Sequence, residues 1–342
     1  VDEKNDQTSE IIERFVSPLQ QENEKRILPI SLANRPQSFG EFPGQEAIKK
    51  LLHVYVEAAK TRSEPLDHTV FHGPPGLGKT TLAQIVAKEM EVDVVATSAP
   101  AIEKPGDLVG LLTNLQKNSV LFLDEIHRLP IQTEEILYSA MEDNFVDLII
   151  GQGVGSRSMK MPIEPFTLIG ATTKLSKLSA PLLNRFGIQL RFDFYDVGSL
   201  SKIILRDADS LGFEIDESAA STLAGRSRGT PRIAKRLLRR ARDFAQFEKK
   251  PSIDRTFICH VLDHLGIDLH GLDAMDRRIL KTVFHVYDGG PVGIEALAAT
   301  LGESKNTLEE VYEPFLVHKQ LLTRTPRGRS LSAAGHSIAK EL

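Results

Sequence analysis

The run Gly73-Pro74-Pro75-Gly76-Leu77-Gly78-Lys79-Thr80 satisfies the spacing G-x-x-x-x-G-K-[ST], and the chemistry of that spacing is phosphate binding. Gly73, Gly76 and Gly78 allow successive backbone N–H groups to converge on phosphate oxygens. Lys79 supplies a cation for the β and γ phosphates of ATP, and Thr80, with Thr81 beside it, offers a hydroxyl to Mg²⁺. Further along, an apolar run ends in two acids, Val120-Leu-Phe-Leu-Asp124-Glu125. Asp124 would hold the water shell of the metal, and Glu125 would orient and deprotonate an attacking water. A solvated strand end is the competing reading, and its force drops beside a phosphate loop. A third run, FTLIGATT, ends in Thr172 and Thr173. Either hydroxyl would position the lytic water, unless it merely caps the strand. His127, directly after the acids, reads as a hydrogen-bonded structural residue rather than a metal ligand or acid–base group. The phosphate loop and the acidic pair together mean nucleotide hydrolysis.

These groups need elements to bring them to one place. Apolar stretches at residues 68–72, 92–97, 120–123 and 166–171 read as strands, and helical periodicity occupies residues 45–60 and 80–89. Strands alternating with helices predict an α/β fold with a parallel sheet covered on both faces. The phosphate loop would then sit between a strand and a helix N-terminus, where the dipole and free amides favour an anion. Only helical patterns follow from about Tyr195, with the marker GTPRIAKRLLRRARDF: Thr230 as cap, Pro231 in the first position, and Ile233, Leu237, Ala241 and Phe244 as the apolar stripe. From about Gly271 the order is three short helices, then a strand-like segment VHKQLLTRTP, a turn RGR and a short tail. That is the outline of a winged helix. The expected organisation is a mobile arm at 1–25, a large ATPase domain at 26–194 carrying a β-hairpin at 146–163, a helical lid at 195–270 and a winged-helix domain at 271–342.

Composition bounds the rest. With 342 residues, 41% hydrophobic and 26% charged, the chain holds more than one core and fits neither a collagen-like nor a disordered class. A single cysteine, Cys259, excludes a disulfide framework and a multi-cysteine zinc site, and a small buried apolar role is expected for it. No apolar run is long enough to span a membrane as a helix, and a cytoplasmic location is expected. The net charge of −4 hides local basic stations. Ten basic and two acidic residues lie between Arg226 and Lys250, and Arg324, Arg327 and Arg329 cluster in RTPRGR. On a winged helix these three, with Lys305 on the preceding helix, would contact DNA phosphates with steep salt dependence and little sequence preference. The basic helix at 235–242 reads equally as a solvated face or as a contact with neighbouring subunits.

The motifs GPPGLGKT, LFLDEIHR, FTLIGATT, PLLNRFG, RGTPRIAKRLLRRARDFAQ and RTPRGR, in this order, resemble the RuvB family of bacterial Holliday-junction branch-migration ATPases, within AAA+. The resemblance runs from about Arg35 to the end. It implies an ATP- and Mg²⁺-dependent ring motor, hexameric, acting on double-stranded DNA with a RuvA-like junction-binding partner. It also implies that Arg185 in NRFG is an arginine finger reaching the ATP of a neighbouring subunit. Such a residue is worth roughly 10³–10⁵ in rate. Arg232 in GTPRIA would be a cation on the lid that registers the γ-phosphate. Arg35, Tyr195 and the segment Glu142, Asp143, Asn144 fall where the family lines the nucleotide pocket. The hairpin would dock the junction-binding partner through Leu148, Ile149 and Ile150, unless it packs on its own domain. There are departures: Leu183 stands where an arginine is common, Lys174 follows ATT in place of arginine, His72 precedes GPPG, and Ala99 replaces a glycine.

Two other classes compete. A clamp-loader-like switch acting on a partner ring would usually carry Ser-Arg-Cys at the finger, cysteine zinc ligands and a helical collar. A protein unfoldase would need an aromatic pore loop, and TSAPAIEKPGDLVGLLTNL contains no aromatic residue.

Overall fold

Residues 35–150 and 157–342 are described by the computed structural model. The chain divides into two units, Val1–Arg35 and Pro36–Leu342, and the elements below belong to the second. The expected arm at 1–25 lies outside the described residues.

Five strands form the parallel sheet: β1 (Thr69–His72), β2 (Val94–Ser98), β3 (Val120–Asp124), β6 (Thr167–Thr172) and β7 (Ile188–Arg191), in the order β2-β3-β6-β1-β7. Between them in the chain come β4 (Phe145–Ile150) and β5 (Arg157–Pro162), an antiparallel hairpin of their own. β7 was not expected from sequence; four residues alternating buried and exposed give too short a signal beside NRFG. β1 lies between β6 and β7, with His72 abreast of Thr172 and Arg191. Its carboxyl end therefore opens between two neighbouring strands at the carboxyl edge of the sheet, where α/β proteins place ligands.

The pleat sends alternate residues to opposite faces. Phe71, Phe122 and Ile169 enter one core with α1 (Glu46–Arg62) and α2 (Lys79–Glu89). Val70, Leu121, Leu123 and Leu168 enter another with α3 (Pro105–Thr113), α4 (Ile131–Asp143) and α5 (Ala180–Asn184). The first core continues without a break into the lid helices α6 (Val197–Ser210), α7 (Glu217–Gly225), α8 (Pro231–Phe247) and α9 (Arg255–His264). That shared core fixes the lid against the sheet. The lid is not purely helical: β8 (Glu214–Ile215) and β9 (Ser252–Ile253) pair in parallel. Thr230 occupies the cap position of α8, but its hydroxyl donates to Ser227 O at 3.4 Å rather than capping. Cys259 is half-buried, not buried, and Arg226 Nη2 lies 3.8 Å from its sulfur.

A separate core holds the winged helix. α10 (Ala274–Val286) starts at Asp273, whose carboxylate accepts from the amides of Met275 and Asp276. α11 (Ile294–Leu301) follows, then α12 (Lys305–Thr307), a wide π-type turn over Leu308–Tyr312 and α13 (Glu313–His318). The helix thus continues through Val317 and His318, which the sequence pattern had placed in a strand. The wing is β10 (Leu322–Thr325) against β11 (Gly328–Leu331), closed by Pro326 and Arg327. The expected tail is instead a helix, α14 (Ala333–Glu341), capped by Ser332.

Candidate functional site

The phosphate loop joins β1 to α2, and its shape depends on contacts far away in sequence. Gly76 has φ +80°, and a Cβ there would lie 2.8 Å from Arg232 Cβ. The Arg232 amide donates to Gly76 O at 3.3 Å. The lid arginine expected to register the γ-phosphate therefore rests directly on the loop. Gly78 caps α2 with φ 95°, and a side chain there would meet the Phe42 ring at 3.1 Å. Tyr195 supports the loop from beneath: its buried hydroxyl donates to Leu77 O at 3.0 Å, and burial pushes its pKa up. Tyr195 thus shapes the pocket through backbone.

Lys79 is 8% exposed, and its ammonium donates to Gly73 O at 2.8 Å and Pro74 O at 2.9 Å. Burial lowers its pKa to about 8 against the opposing pull of Asp124 and Glu125. A desolvated cation held only by carbonyl oxygens is a site that an anion completes. Thr80 and Thr81 begin α2 beside it, half-buried.

Asp124 ends β3, and its Oδ1 accepts from the Glu125 amide at 3.0 Å. Glu125 takes a left-handed backbone, φ 52°, a conformation that costs a non-glycine residue on the order of 1–3 kcal/mol and tends to occur at working sites. His127 ties this corner to the next strand. Its Nδ1 lies 3.3 Å from Glu125 Oε2 and 2.9 Å from Thr172 Oγ1. Burial lowers the His127 pKa, with Glu125 opposing, so the ring orients groups rather than carrying charge. Thr172 is fully buried and also accepts from the Lys174 amide at 2.9 Å. That leaves Thr173, half-buried on the cavity wall with Glu125, as the hydroxyl facing the opening.

The cavity in front of these residues measures about 1110 Å³, and Glu309, Glu310, Pro314 and Arg324 of the winged helix form its far side. Lys174 crosses it to pair with Glu310. The lysine that departs from the family pattern thus joins the threonine strand to the winged helix.

Arg185 lies elsewhere. It closes α5, just before β7, whose first residue is abreast of Thr69 at the start of β1. The loop leaves from the other end of β1. Arg185 donates to Glu142 Oε2 at 3.0 Å and to Pro181 O at 2.8 Å, and stacks 4.5 Å over Tyr138. Its Nε is buried without a hydrogen-bond partner among the described residues. Glu142, Asp143 and Asn144 end α4 at this same edge, where His68 Nε2 meets Met141 O at 3.1 Å. The fold therefore does not bring Arg185 or Glu142–Asn144 to the phosphate loop of their own chain. Leu183, in place of an arginine, is half-buried against the neighbouring apolar core. Arg35 belongs to the N-terminal unit, and its place in the pocket stays an expectation.

The geometry matches known proteins along nearly the whole chain. Residues 34–192 match the Holliday junction DNA helicase RuvB P-loop domain, 195–268 the RuvB AAA lid domain and 269–340 the RuvB C-terminal winged helix domain. The chain belongs to the RuvB family. The Holliday junction branch migration complex subunit RuvB of Bdellovibrio bacteriovorus is 52% identical over 298 residues, 87% of this chain and 91% of the relative. That of Paramagnetospirillum magneticum is 52% identical over 322 residues, 94% of this chain and 91% of the relative. The solved Thermotoga maritima RuvB Holliday junction branch migration motor superposes with a TM-score of 0.80 at 48% identity, covering 90% of this chain and 98% of that one. A winged helix in place of a helical collar removes the footing of the clamp-loader-like alternative.

Membership of the RuvB family makes this a P-loop AAA+ nucleotide-binding chain of a kind that works in a complex with DNA. Among the described residues no helix is long and apolar enough to cross a membrane.

At the wing, most of the cations expected to contact DNA also have partners within the chain. Arg324 grips Glu313 with two bonds, Nε–Oε1 at 2.6 Å and Nη2–Oε2 at 2.7 Å. Arg329 reaches Glu313 Oε1 at 2.9 Å and Glu309 Oε1 at 3.0 Å. Burial alone would push the Glu313 carboxyl up, but the two arginines bring it below its ordinary value. Lys305 is likewise paired, with Glu295 at 2.5 Å. Three of the four cations expected to face phosphate already have carboxylates because the preceding helices supply them. Arg327 is exposed at the turn and has no ion pair among the described residues. The sequence reading missed Glu309 and Glu313; their spacing of four on one helical face was the available signal.

The hairpin forms with the register Val146↔Met161 and Leu148↔Met159. The side chains of Leu148, Ile149 and Ile150 lie outside the described residues.

Proposed function

We propose that this chain is an ATP-hydrolysing, double-stranded DNA translocase that drives branch migration of Holliday junctions as a ring, hexameric, together with a RuvA-like junction-binding partner. The observation that carries this reading is the separation of Arg185 from the phosphate loop to opposite edges of one sheet. A chain built this way completes its site only against a second copy, and repetition of such a head-to-tail contact generates a ring when the rotation between copies closes. Relatives named Holliday junction branch migration complex subunit support a DNA junction as the substrate and work within a complex.

The donor set fits a magnesium nucleotide. Lys79 is buried with no carboxylate partner, and no cluster of three or more metal-ligating side chains occurs among the described residues. That suits an ion held by one or two protein oxygens and by phosphates. Thr80 and Asp124 would hold Mg²⁺, which when bound neutralises phosphate charge. Gly73, Gly76 and Gly78 present amides to the phosphates, and Lys79 with Arg232 balances their charge. Glu125 accepts the proton of the attacking water, with Thr173 orienting that water. His127 fixes Glu125. Arg185 of the adjacent copy stabilises the transition state. The Lys174–Glu310 bridge lets movement at the threonine strand reach the winged helix directly. Leu148, Ile149 and Ile150 on the hairpin are assigned to partner docking.

The test uses two inactive variants. Arg185→Ala should lower turnover about 10³-fold or more while ADP affinity, measured by calorimetry, stays within a few-fold. Lys79→Ala should not bind nucleotide. Mixing the two should restore phosphate release, because an Arg185→Ala pocket beside a Lys79→Ala neighbour is complete. A mixture as inactive as its parts sinks the shared-site reading.

A further inference from the structure

Where the lid meets the winged helix lies a cavity of about 550 Å³ that the nucleotide chemistry does not use. Its walls include Arg226, Arg228, Arg236, Arg239 and Arg240, against one carboxylate, Asp273. Asp273 is already taken, accepting from Arg228 Nη2 at 2.6 Å, and Arg228 also pairs with buried Asp276. Arg240 leans on Asp243 at 3.0 Å. Arg236 and Arg239 are exposed along the helix, one turn apart, with no ion pair among the described residues.

Arg226 is the decisive residue. It is 6% exposed, and its Nη1 is buried without a hydrogen-bond partner among the described residues. Its other contact, at 3.8 Å to Cys259 sulfur, is a weak one. A guanidinium buried with an unpaired nitrogen is costly unless an anion joins it. Guanidinium groups also match phosphate in geometry, each offering two parallel N–H bonds. The cavity is many times the ~30 Å³ of a water and within the usual range for small-ligand sites, roughly 300–1,000 Å³.

We propose that this cavity is a second phosphate-binding site, taking a run of linked phosphate groups, with Arg226 as the buried anchor and Arg236 and Arg239 as the outer clamp. The linked phosphates come either from a free polyphosphate or from a nucleic-acid backbone; both present the same chemistry to the arginines. The site is independent of the phosphate loop, although α8 carries Arg232 on the same helix, one turn before Arg236.

The experiment titrates inorganic tripolyphosphate into the full chain with the phosphate loop saturated by ADP, followed by calorimetry. One saturable event per chain is expected, weakening as salt rises. Arg226→Gln should weaken it tenfold or more. Arg236→Gln with Arg239→Gln, both at exposed positions that folding does not need, should do the same. The absence of a saturable event, or an affinity unchanged in the Arg236→Gln, Arg239→Gln protein, overturns the proposal. Binding of a labelled DNA duplex to the same variants separates the sources. A matching loss of duplex affinity assigns the phosphates to DNA, and an unchanged one assigns them to a free polyphosphate.

Discussion

The phosphate loop and the wing both gather cations, yet they treat them in opposite ways. At the loop, Lys79 donates only to the carbonyl oxygens of Gly73 and Pro74, and Arg232 rests on Gly76 with no ion pair among the described residues. At the wing, Arg324 and Arg329 close on Glu313 and Glu309. Equal charges thus have different meanings. A cation that the fold leaves without a carboxylate is held ready for an outside anion, whereas one that the fold neutralises is holding helix to strand. The wing network fastens α13 to β10 and β11, and the loop cations await phosphate.

The largest expected effect breaks the wing side of this contrast. Glu313→Gln removes a carboxylate buried among two arginines and should cost about 3–5 kcal/mol of stability in denaturant melts. The freed Arg324 and Arg329 should make duplex binding tighter and its salt dependence steeper. Unchanged stability and salt dependence would mean that the network is not holding the charges.

Lys79→Met makes the complementary cut. Nucleotide affinity should fall at least 100-fold, about 3 kcal/mol, while the nucleotide-free protein becomes more stable. The sign follows from burial. Lys79 titrates at about 8 in the fold and 10.5 when unfolded, so at neutral pH folding must keep a proton that its buried position disfavours. The wild-type protein should accordingly gain stability as pH rises from about 8 towards 10.5. Its nucleotide affinity should decline over the same range, with proton uptake on binding visible in calorimetry across buffers. A flat pH profile counts against the buried ammonium.

The smallest effect sharpens the comparison within the wing. Arg327→Gln should reduce the slope of log affinity against log salt by about one, and Arg324→Gln by less. Equal slopes for both would show that DNA displaces the Glu313 bonds.

How far the sequence could be read follows the range of the interactions. The phosphate loop was legible because its function lies in the spacing of Gly73, Gly76 and Gly78. The acidic end of β3 was legible because four apolar residues lead into Asp124. The winged-helix outline came from local helical periodicity and a turn. What escaped was set by distant neighbours. Arg232 meets Gly76, and Lys174 meets Glu310, across long stretches of chain. Arg324 and Arg329 looked free because nothing in RTPRGR announces the glutamates waiting on the previous helix. β7 escaped for a different reason, since four residues cannot establish a period.

Residue 76 carries a consequence for the angle between lid and sheet. With only a hydrogen at that position, the backbone of the loop and the first turn of α8 touch. Alanine there would act as a wedge of methyl thickness at the inner end of a lever, and the tilt would grow toward the far tip of α8. The tuning of the lid is therefore discrete: no side chain is small enough to open the gap by degrees, and a change at this single point would alter the grip on fuel and the stance of the lid together.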